Sequence, residues 1–206
     1  MCCRYYYDGS DETMRWMADQ AERSRLAERF RSRTGRDIIR AGEISPAMVA
    51  PVLATSRIGE KTGFPMQWGY RMDGKRTVVN ARTETAAESG MFRPSWEKHR
   101  CAVPAAWYYE WDHIILPDGK KETGRKFSFR PAGGGITWLC GLYRMEDGLP
   151  RFVILTREPN AEIAAIHDRM PLVIAEQDVE EWIHPDGNAE EIARRALTEM
   201  TMQQAG

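Results

Sequence analysis

The succession of short β-type runs after Gly42 is the sequence feature that most constrains the fold. Runs rich in β-branched and aromatic residues alternate there with Gly, Pro and Asp. This pattern predicts strands near 49–55, 64–71, 76–81, 100–111, 125–130, 136–144, 151–157 and 170–175. Turns are predicted at Asp73-Gly74, Asp118-Gly119, Gly133-Gly134-Gly135 and Asp147-Gly148. Since few helices separate these strands, we expect an α+β fold whose mixed, mainly antiparallel sheet curls into a barrel-like core with peripheral helices.

A helix is predicted for residues 11–33, before the first of these strands. Its apolar positions recur at helical spacing and then drift. They are Met14, Met17, Ala18 and Ala21, continued by Leu26 and Phe30. Ser10 or Asp11 is expected to cap this helix and Gly35 to end it. Short helices are expected at 83–89, 159–167, 176–183 and 188–202, the last with Ile192, Ala196 and Leu197 on its inner side.

Length and composition are those of one globular domain, expected to span residues 1–206. No apolar run approaches the ~18 residues that cross a membrane, and no secretory signal is recognised. The four cysteines contain no CxxC pair, so a reducing cytoplasm, no disulfide framework and no metal site are expected. Net charge is −1, although residues 15–40 hold eight arginines against four acids. A solvated helix face explains that stretch as well as a polyanion partner does.

The start of the chain carries the most unusual chemistry. Removal of Met1 would give Cys2 a free α-amine and a free thiol on adjacent carbons. Such a 1,2-aminothiol condenses with an aldehyde to a Schiff base, and the thiol then closes a thiazolidine ring. Both groups titrate near neutral pH, at about 8 and about 8.5. The alternative is an ordinary surface cysteine beside a frayed terminus.

Three further stretches place polar side chains in rigid apolar surroundings. The first, residues 78–85, has Asn80 and Arg82 on one side of a strand. The second, residues 100–111, sets Glu110 in an aromatic run, where loss of solvent would suit it to proton transfer. The third, residues 166–171, brings His167 as acid or base and Arg169 as an anion contact.

Each of these residues also has a purely structural explanation. Asn80 would then be a strand hydrogen-bonding residue, Glu110 a solvent-facing carboxylate, and His167 a helix cap. Arg82 and Arg169 would be ion-pair partners. The remaining histidines are expected on the surface; they are His99, His113 and His184.

Together these stretches resemble the SRAP (SOS-response-associated peptidase) family, which contains abasic-site proteins of bacteria and eukaryotes. The resemblance rests on Cys2 followed by Arg4, then on the ordered motifs NARTET (80–85), RCAVPAAWYYEW (100–111) and IHDRMP (166–171). Supporting motifs are GEISP ending at Pro46, QWGY with Trp68, and MFRPSW beginning at Met91. Order and spacing agree over most of residues 1–183. One departure is Cys3, which stands where the family usually has glycine and brings a second thiol next to Cys2.

The resemblance implies an enzyme that links its terminal cysteine covalently to an abasic site in single-stranded DNA during a DNA-damage response. The corresponding catalytic set would be Cys2, Asn80, Glu110 and His167. Contacts to DNA would come from Arg4, Pro46, Trp68, Arg82, Met91 and Arg169, with arginines on phosphates and Trp68 and Met91 against bases. A cytoplasmic monomer, associated with the nucleoid when bound to DNA and needing no cofactor, is expected.

Two other classes of function remain open. One is an amino-terminal-nucleophile peptidase, in which Cys2 attacks an amide and removal of Met1 is autocatalytic. The other is a non-covalent reader of modified or single-stranded DNA, whose binding would be sensitive to salt and would survive loss of Cys2.

Overall fold

The computed structural model describes residues 3–72, 76–116 and 118–205. Its α-helices are α1 (Glu12–Arg23), α2 (Arg25–Thr34), α3 (Thr83–Ala86), α4 (Arg93–Lys98), α5 (Ala161–Ala164), α6 (Val179–Ile183) and α7 (Ala189–Arg194), with a 3-10 helix at Glu176–Asp178. Its strands are β1 (Tyr5–Tyr7), β2 (Gly42–Ile44), β3 (Val49–Thr55), β4 (Lys61–Trp68), β5 (Tyr70–Arg71), β6 (Thr77–Val78), β7 (Asn80–Arg82), β8 (Arg100–Ala105), β9 (Trp107–Ile115), β10 (Lys121–Pro131), β11 (Thr137–Glu146), β12 (Leu149–Arg157), β13 (Met170–Pro171), β14 (Val173–Ile174) and β15 (Met200–Ala205).

Five strands close into a barrel. Strand β12 pairs with β4, β4 with β3, β3 with β8, β8 with β11, and β11 returns to β12. Only the β12–β4 pairing in this ring is parallel. Strands β3 and β8 read as almost continuous apolar runs because both of their faces are covered. The closed ring confirms the prediction of a mainly antiparallel, barrel-like α+β core.

A second, five-stranded sheet extends from one end of the barrel, in the order β15-β10-β9-β1-β2. The connection is Ala106, a single bent residue between β8 and β9. Its amide donates to the Tyr6 carbonyl at 2.9 Å, which ties the bend to β1. The beginning of the chain is therefore held at the barrel end from which β9 leaves.

The predicted helix over residues 11–33 is two helices, broken at Ser24. Asp11 caps α1, and Gly35 ends α2 with a left-handed φ of 64°, both as predicted. Ser24 has extended dihedrals, and its hydroxyl accepts from the Leu26 amide. It therefore stops one helix and caps the next. The drift of the apolar stripe reflects this change of axis.

The predicted helix over residues 188–202 is wrong beyond α7. Ile192 and Ala196 are buried and Leu197 is half-buried, as expected of its inner positions. The chain then forms β15, which pairs with β10 from Lys126↔Ala205 to Pro131↔Met200. Edge pairing with β10 outweighs the helical propensity of this polar segment.

Most predicted strands and turns are confirmed. Strands β1 and β2 and helix α4 were not predicted, because each is too short to show periodicity. The predicted turn at Asp73-Gly74 lies outside the described residues. Among the residues that the structure describes, no helix combines the length and the hydropathy needed to cross a bilayer.

Candidate active site

Glu110 is the buried carboxyl group around which the candidate site is built. It lies on β9 directly opposite Phe127 of β10, and Tyr108 shares its face by strand alternation. Only 2% of the residue is exposed. Burial raises the pKa of this carboxyl to about 7. Glu110 can therefore both accept and donate a proton near neutral pH.

The aromatic neighbours of Glu110 in sequence are not the groups that desolvate it. Tyr109 and Trp111 lie on the other face of the sheet, where Lys126 Nζ is 3.8 Å from the Tyr109 ring centroid. The sequence interpretation correctly expected a desolvated carboxyl but assigned its cause to the wrong residues. The cross-strand neighbour Phe127, which is also buried, takes that role.

His167 is in contact with Glu110. Its Nε2 lies 4.0 Å from Glu110 Oε2, and the side chain is 12% exposed. The Arg169 amide lies 3.1 Å from Nδ1, so this nitrogen faces its own loop while Nε2 faces Glu110. Burial lowers the pKa of His167 and outweighs the opposing charge of Asp168, 2.8 Å from Nδ1. A carboxyl with a raised pKa thus faces an imidazole with a lowered one.

Asn80 lies on β7, the strand beside β12. Strand β7 runs parallel to β12 with Ile154↔Asn80 in register, and the Asn80 amide group donates to the Ile154 carbonyl at 3.4 Å. On its other side β12 pairs with β13, which follows His167. The Asn80 side-chain oxygen is buried and has no hydrogen-bond partner within residues 3–72, 76–116 and 118–205. This oxygen is therefore available to accept a hydrogen bond.

The start of the chain runs alongside β9 toward Glu110. Tyr5 pairs with Tyr108, and the Arg4 carbonyl accepts from the Tyr109 amide at 2.9 Å. The pKa of the half-buried Cys3 thiol is raised, first by burial and then by the charge of Glu110. Cys3 is therefore within electrostatic reach of Glu110. Cys2, the predicted nucleophile, lies outside the described residues.

The three predicted arginines differ in their surroundings. Arg82 is exposed and makes no ion pair in the described part of the chain. Arg169 Nη2 contacts Glu84 Oε2 and the Thr156 carbonyl, both at 2.7 Å, and so links the third motif to the first. Arg4 Nη1 lies 3.2 Å from Glu43 Oε2. Arg82 is thus the most accessible to a phosphate, whereas the other two have local partners.

The position of Trp68 does not agree with the expectation that it lies against a base. Its side chain is completely buried, and its Nε1 donates to the Val79 carbonyl at 2.9 Å. It offers no ring face to a base and instead anchors the residue that precedes Asn80. Pro46 is half-buried and follows β2, which runs past β1 toward the site. Met91 is half-buried against a core cluster, and no described contact joins it to Glu110 or His167.

Two residues near the site were not predicted. The His113 ring centroid is 5.7 Å from that of His167, although His113 is exposed as expected. Arg157, at the end of β12, pairs with Met170 and has a buried Nη1 without a hydrogen-bond partner in the described ranges. Its position at the end of a predicted strand, near the IHDRMP motif, is the only sequence signal that would have suggested it. Within those ranges, no three His, Cys, Asp or Glu side chains gather as a metal site would require.

The closed barrel, with a carboxyl and an imidazole in contact beside the start of the chain, defines a class of mixed α and β proteins. The chain belongs to the SOS response associated peptidase (SRAP) family, which matches residues 1–205. This confirms the family resemblance read from the motifs.

Individual relatives agree with this assignment. The chain is 31% identical over 134 residues to the abasic site processing protein YoaM of Bacillus subtilis, covering 63% of this chain and 54% of YoaM. It is 31% identical over 142 residues to the abasic site processing protein YedK of Escherichia coli, covering 65% and 60%. The chain thus spans little more than half the length of these relatives.

Solved structures show the same fold. A crystal structure of a Bordetella bronchiseptica protein matches with a TM-score of 0.68 at 18% identity, covering 100% of both chains. One from Bacteroides thetaiotaomicron matches with a TM-score of 0.69 at 21% identity, covering 98% of this chain and 92% of the other.

Proposed function

We propose that this chain, as a single domain, processes abasic sites by forming a covalent bond between Cys2 and the sugar of an abasic site in single-stranded DNA. The observation that carries the proposal is the contact between the buried Glu110 and the half-buried His167 beside the start of β1. The printed names of the relatives, abasic site processing proteins, support the same substrate. The product would shield damaged DNA in the cytoplasm, where the bound protein would be associated with the nucleoid.

The proposed chemistry begins once Met1 has been removed. The Cys2 amine attacks the open-chain aldehyde of the abasic sugar, and one water leaves as the Schiff base forms. The thiol then adds across the C=N bond to close a thiazolidine, with its proton passing to the nitrogen. No oxidant or reductant is consumed, and the net change is the loss of one water.

Each site residue has a role that fits its environment. Glu110, with a pKa of about 7, would take a proton from the Cys2 amine and return it during dehydration. His167 would act at the sugar hydroxyl and in ring closure, through the Nε2 that faces Glu110. Asn80 would hold the amine or the sugar through its unpartnered oxygen.

The DNA backbone would be held by arginines around this pocket. Arg82 is exposed for a phosphate contact, whereas Arg4 and Arg169 would have to exchange Glu43 and Glu84 for phosphates. Pro46 and Met91 would offer apolar surface to the bases, and Trp68 would not.

The experiment is a time course with a single-stranded oligonucleotide that carries one abasic site. The wild type should form a heat-stable adduct, and Cys2→Ala should form none. Glu110→Gln and His167→Ala should slow adduct formation by about 100-fold or more, as expected for loss of a general acid or base. Glu122→Gln, on the neighbouring strand and exposed, is the matched control. A Cys2→Ala protein that still forms the adduct would refute the proposal, and salt-sensitive binding without any adduct would indicate a non-covalent reader.

A peptidase function has one specific observation in its favour. The same Glu110–His167 pair beside the chain start suits hydrolysis of the Met1–Cys2 amide by the Cys2 thiol. Intact mass of protein made in one host would decide. If Met1 is lost from the wild type and retained in Glu110→Gln, the site removes its own methionine; loss from both assigns removal to the host.

A further inference from the structure

A cavity of about 470 Å³ lies at the barrel end remote from Glu110. Its size is within the range of ligand-binding sites, roughly 300–1,000 Å³. Its lining comes from α2, β4, β11 and the segments around β3, β8 and β12. Its charged lining includes Arg25, Arg29 and Arg57, and its apolar lining includes Phe64, Met66 and Met145.

The cavity is separate from the Glu110 site. His99, which lines it, precedes β8, whereas Ala106 leaves β8 at the end that leads to Glu110. The five residue steps from Arg100 to Ala105 span about 17 Å in a strand. A ligand in the cavity would therefore not touch Glu110 or His167.

The lining is cationic, and none of the described residues that form it is acidic. Arg25 and Arg29 are one turn apart on α2, and Arg57 lies in the turn after β3. All three are exposed and form no ion pair within the described ranges. By contrast Arg31 and Arg40, from the same arginine-rich stretch, pair with Asp37 and Asp19. The arginines at the cavity are thus free to bind carboxylates.

The interior of the cavity is mainly apolar, although His99 and Tyr143 also contribute to its lining. Phe64, Met66 and Met145 line it. The Thr55 hydroxyl already donates to the Ile183 carbonyl, and the Ser56 hydroxyl already accepts from an amide. An aromatic or aliphatic side chain would fill this apolar interior without burying an unpaired polar group of its own.

We propose that this cavity binds an acidic peptide segment of a partner protein. One bulky apolar side chain would enter the cavity, and carboxylates on both sides of it would pair with the guanidinium groups. Because these groups come from two separate elements, a peptide with several carboxylates matches them better than a molecule with one charged group.

The test is fluorescence anisotropy of a labelled octapeptide, GDEDWDEG, titrated with the full chain. Binding should weaken at least about tenfold in Arg29→Glu and in Arg57→Glu, since both reverse a rim charge. Arg15→Glu is the control, because Arg15 is exposed on α1 and does not line the cavity. A peptide with serine in place of tryptophan should also bind at least about tenfold more weakly. Thermal melts would establish that each variant is folded.

Three results would overturn the proposal. The first is absence of peptide binding to the wild type. The second is an equal loss in Arg15→Glu, which would reveal bulk charge attraction only. The third is displacement of the peptide by undamaged single-stranded DNA with the same arginine dependence, which would assign the cavity to nucleic acid. None of these results depends on the abasic-site activity.

Discussion

Replacing Glu110 by glutamine should make the stability of the protein less dependent on pH. Burial raises the pKa of this carboxyl from its ordinary 4.5 to about 7. At 1.36 kcal/mol per pH unit, this difference corresponds to about 3 kcal/mol. Because the folded state binds the proton more tightly than the unfolded chain, the ionisation penalty is absent below about pH 4 and complete above about pH 7. The wild type should therefore lose this stability as pH rises, and Glu110→Gln should not.

The assay is urea unfolding of both proteins at several pH values from 4.5 to 8.5. Relative to the wild type, the free energy of unfolding of Glu110→Gln should rise by about 3 kcal/mol across this range, or about 1.5 M in the urea midpoint. Glu122→Gln, an exposed change on β10, should track the wild type. A difference between Glu110→Gln and wild type that stays constant with pH would show that Glu110 titrates normally, and would remove the basis for its proton-transfer role.

Three further changes test other parts of the structure. Gly63→Ala should destabilise the fold by about 2 kcal/mol in urea unfolding, because its Cβ would lie 2.4 Å from the Met17 carbonyl oxygen. Gly90→Ala is the control and should not destabilise the fold, because the space around Gly90 is open. Arg100→Leu should lower the free energy of unfolding by about 3 kcal/mol or more in the same assay, because the buried guanidinium donates to five backbone carbonyls. An unchanged free energy of unfolding would contradict this. Cys3→Ser should leave adduct yield within about twofold, since burial keeps its thiol protonated; a large loss would show that Cys3 reacts.

The sequence predicted the fold where one local signal dominated. The continuous apolar run 49–55 became a barrel strand with those bounds, and Gly35 ended α2. The sequence-based prediction failed where contacts with distant or neighbouring elements decide the secondary structure. The segment from Met200 became a strand because β10 offers an unpaired edge. The single predicted helix is broken at Ser24, which has extended dihedrals and caps the second helix.

The sequence predicted which residues form the candidate site better than it predicted how they are arranged. Motifs identified Glu110 and His167, and the structure brings them together. No local pattern revealed that Phe127, from another strand, buries Glu110, or that His113 lies near His167. Trp68 was misjudged because an aromatic residue in a strand motif does not show which of its faces is covered.

Intact mass spectrometry after mixing with an abasic single-stranded oligonucleotide tests the proposed covalent bond between Cys2 and the abasic sugar most directly. The predicted mass is that of the chain without Met1 plus the oligonucleotide minus one water, with the modification mapped to Cys2 and absent in Cys2→Ala. A conjugate that retains Met1, a conjugate mapped to a lysine, or no conjugate at all would contradict it.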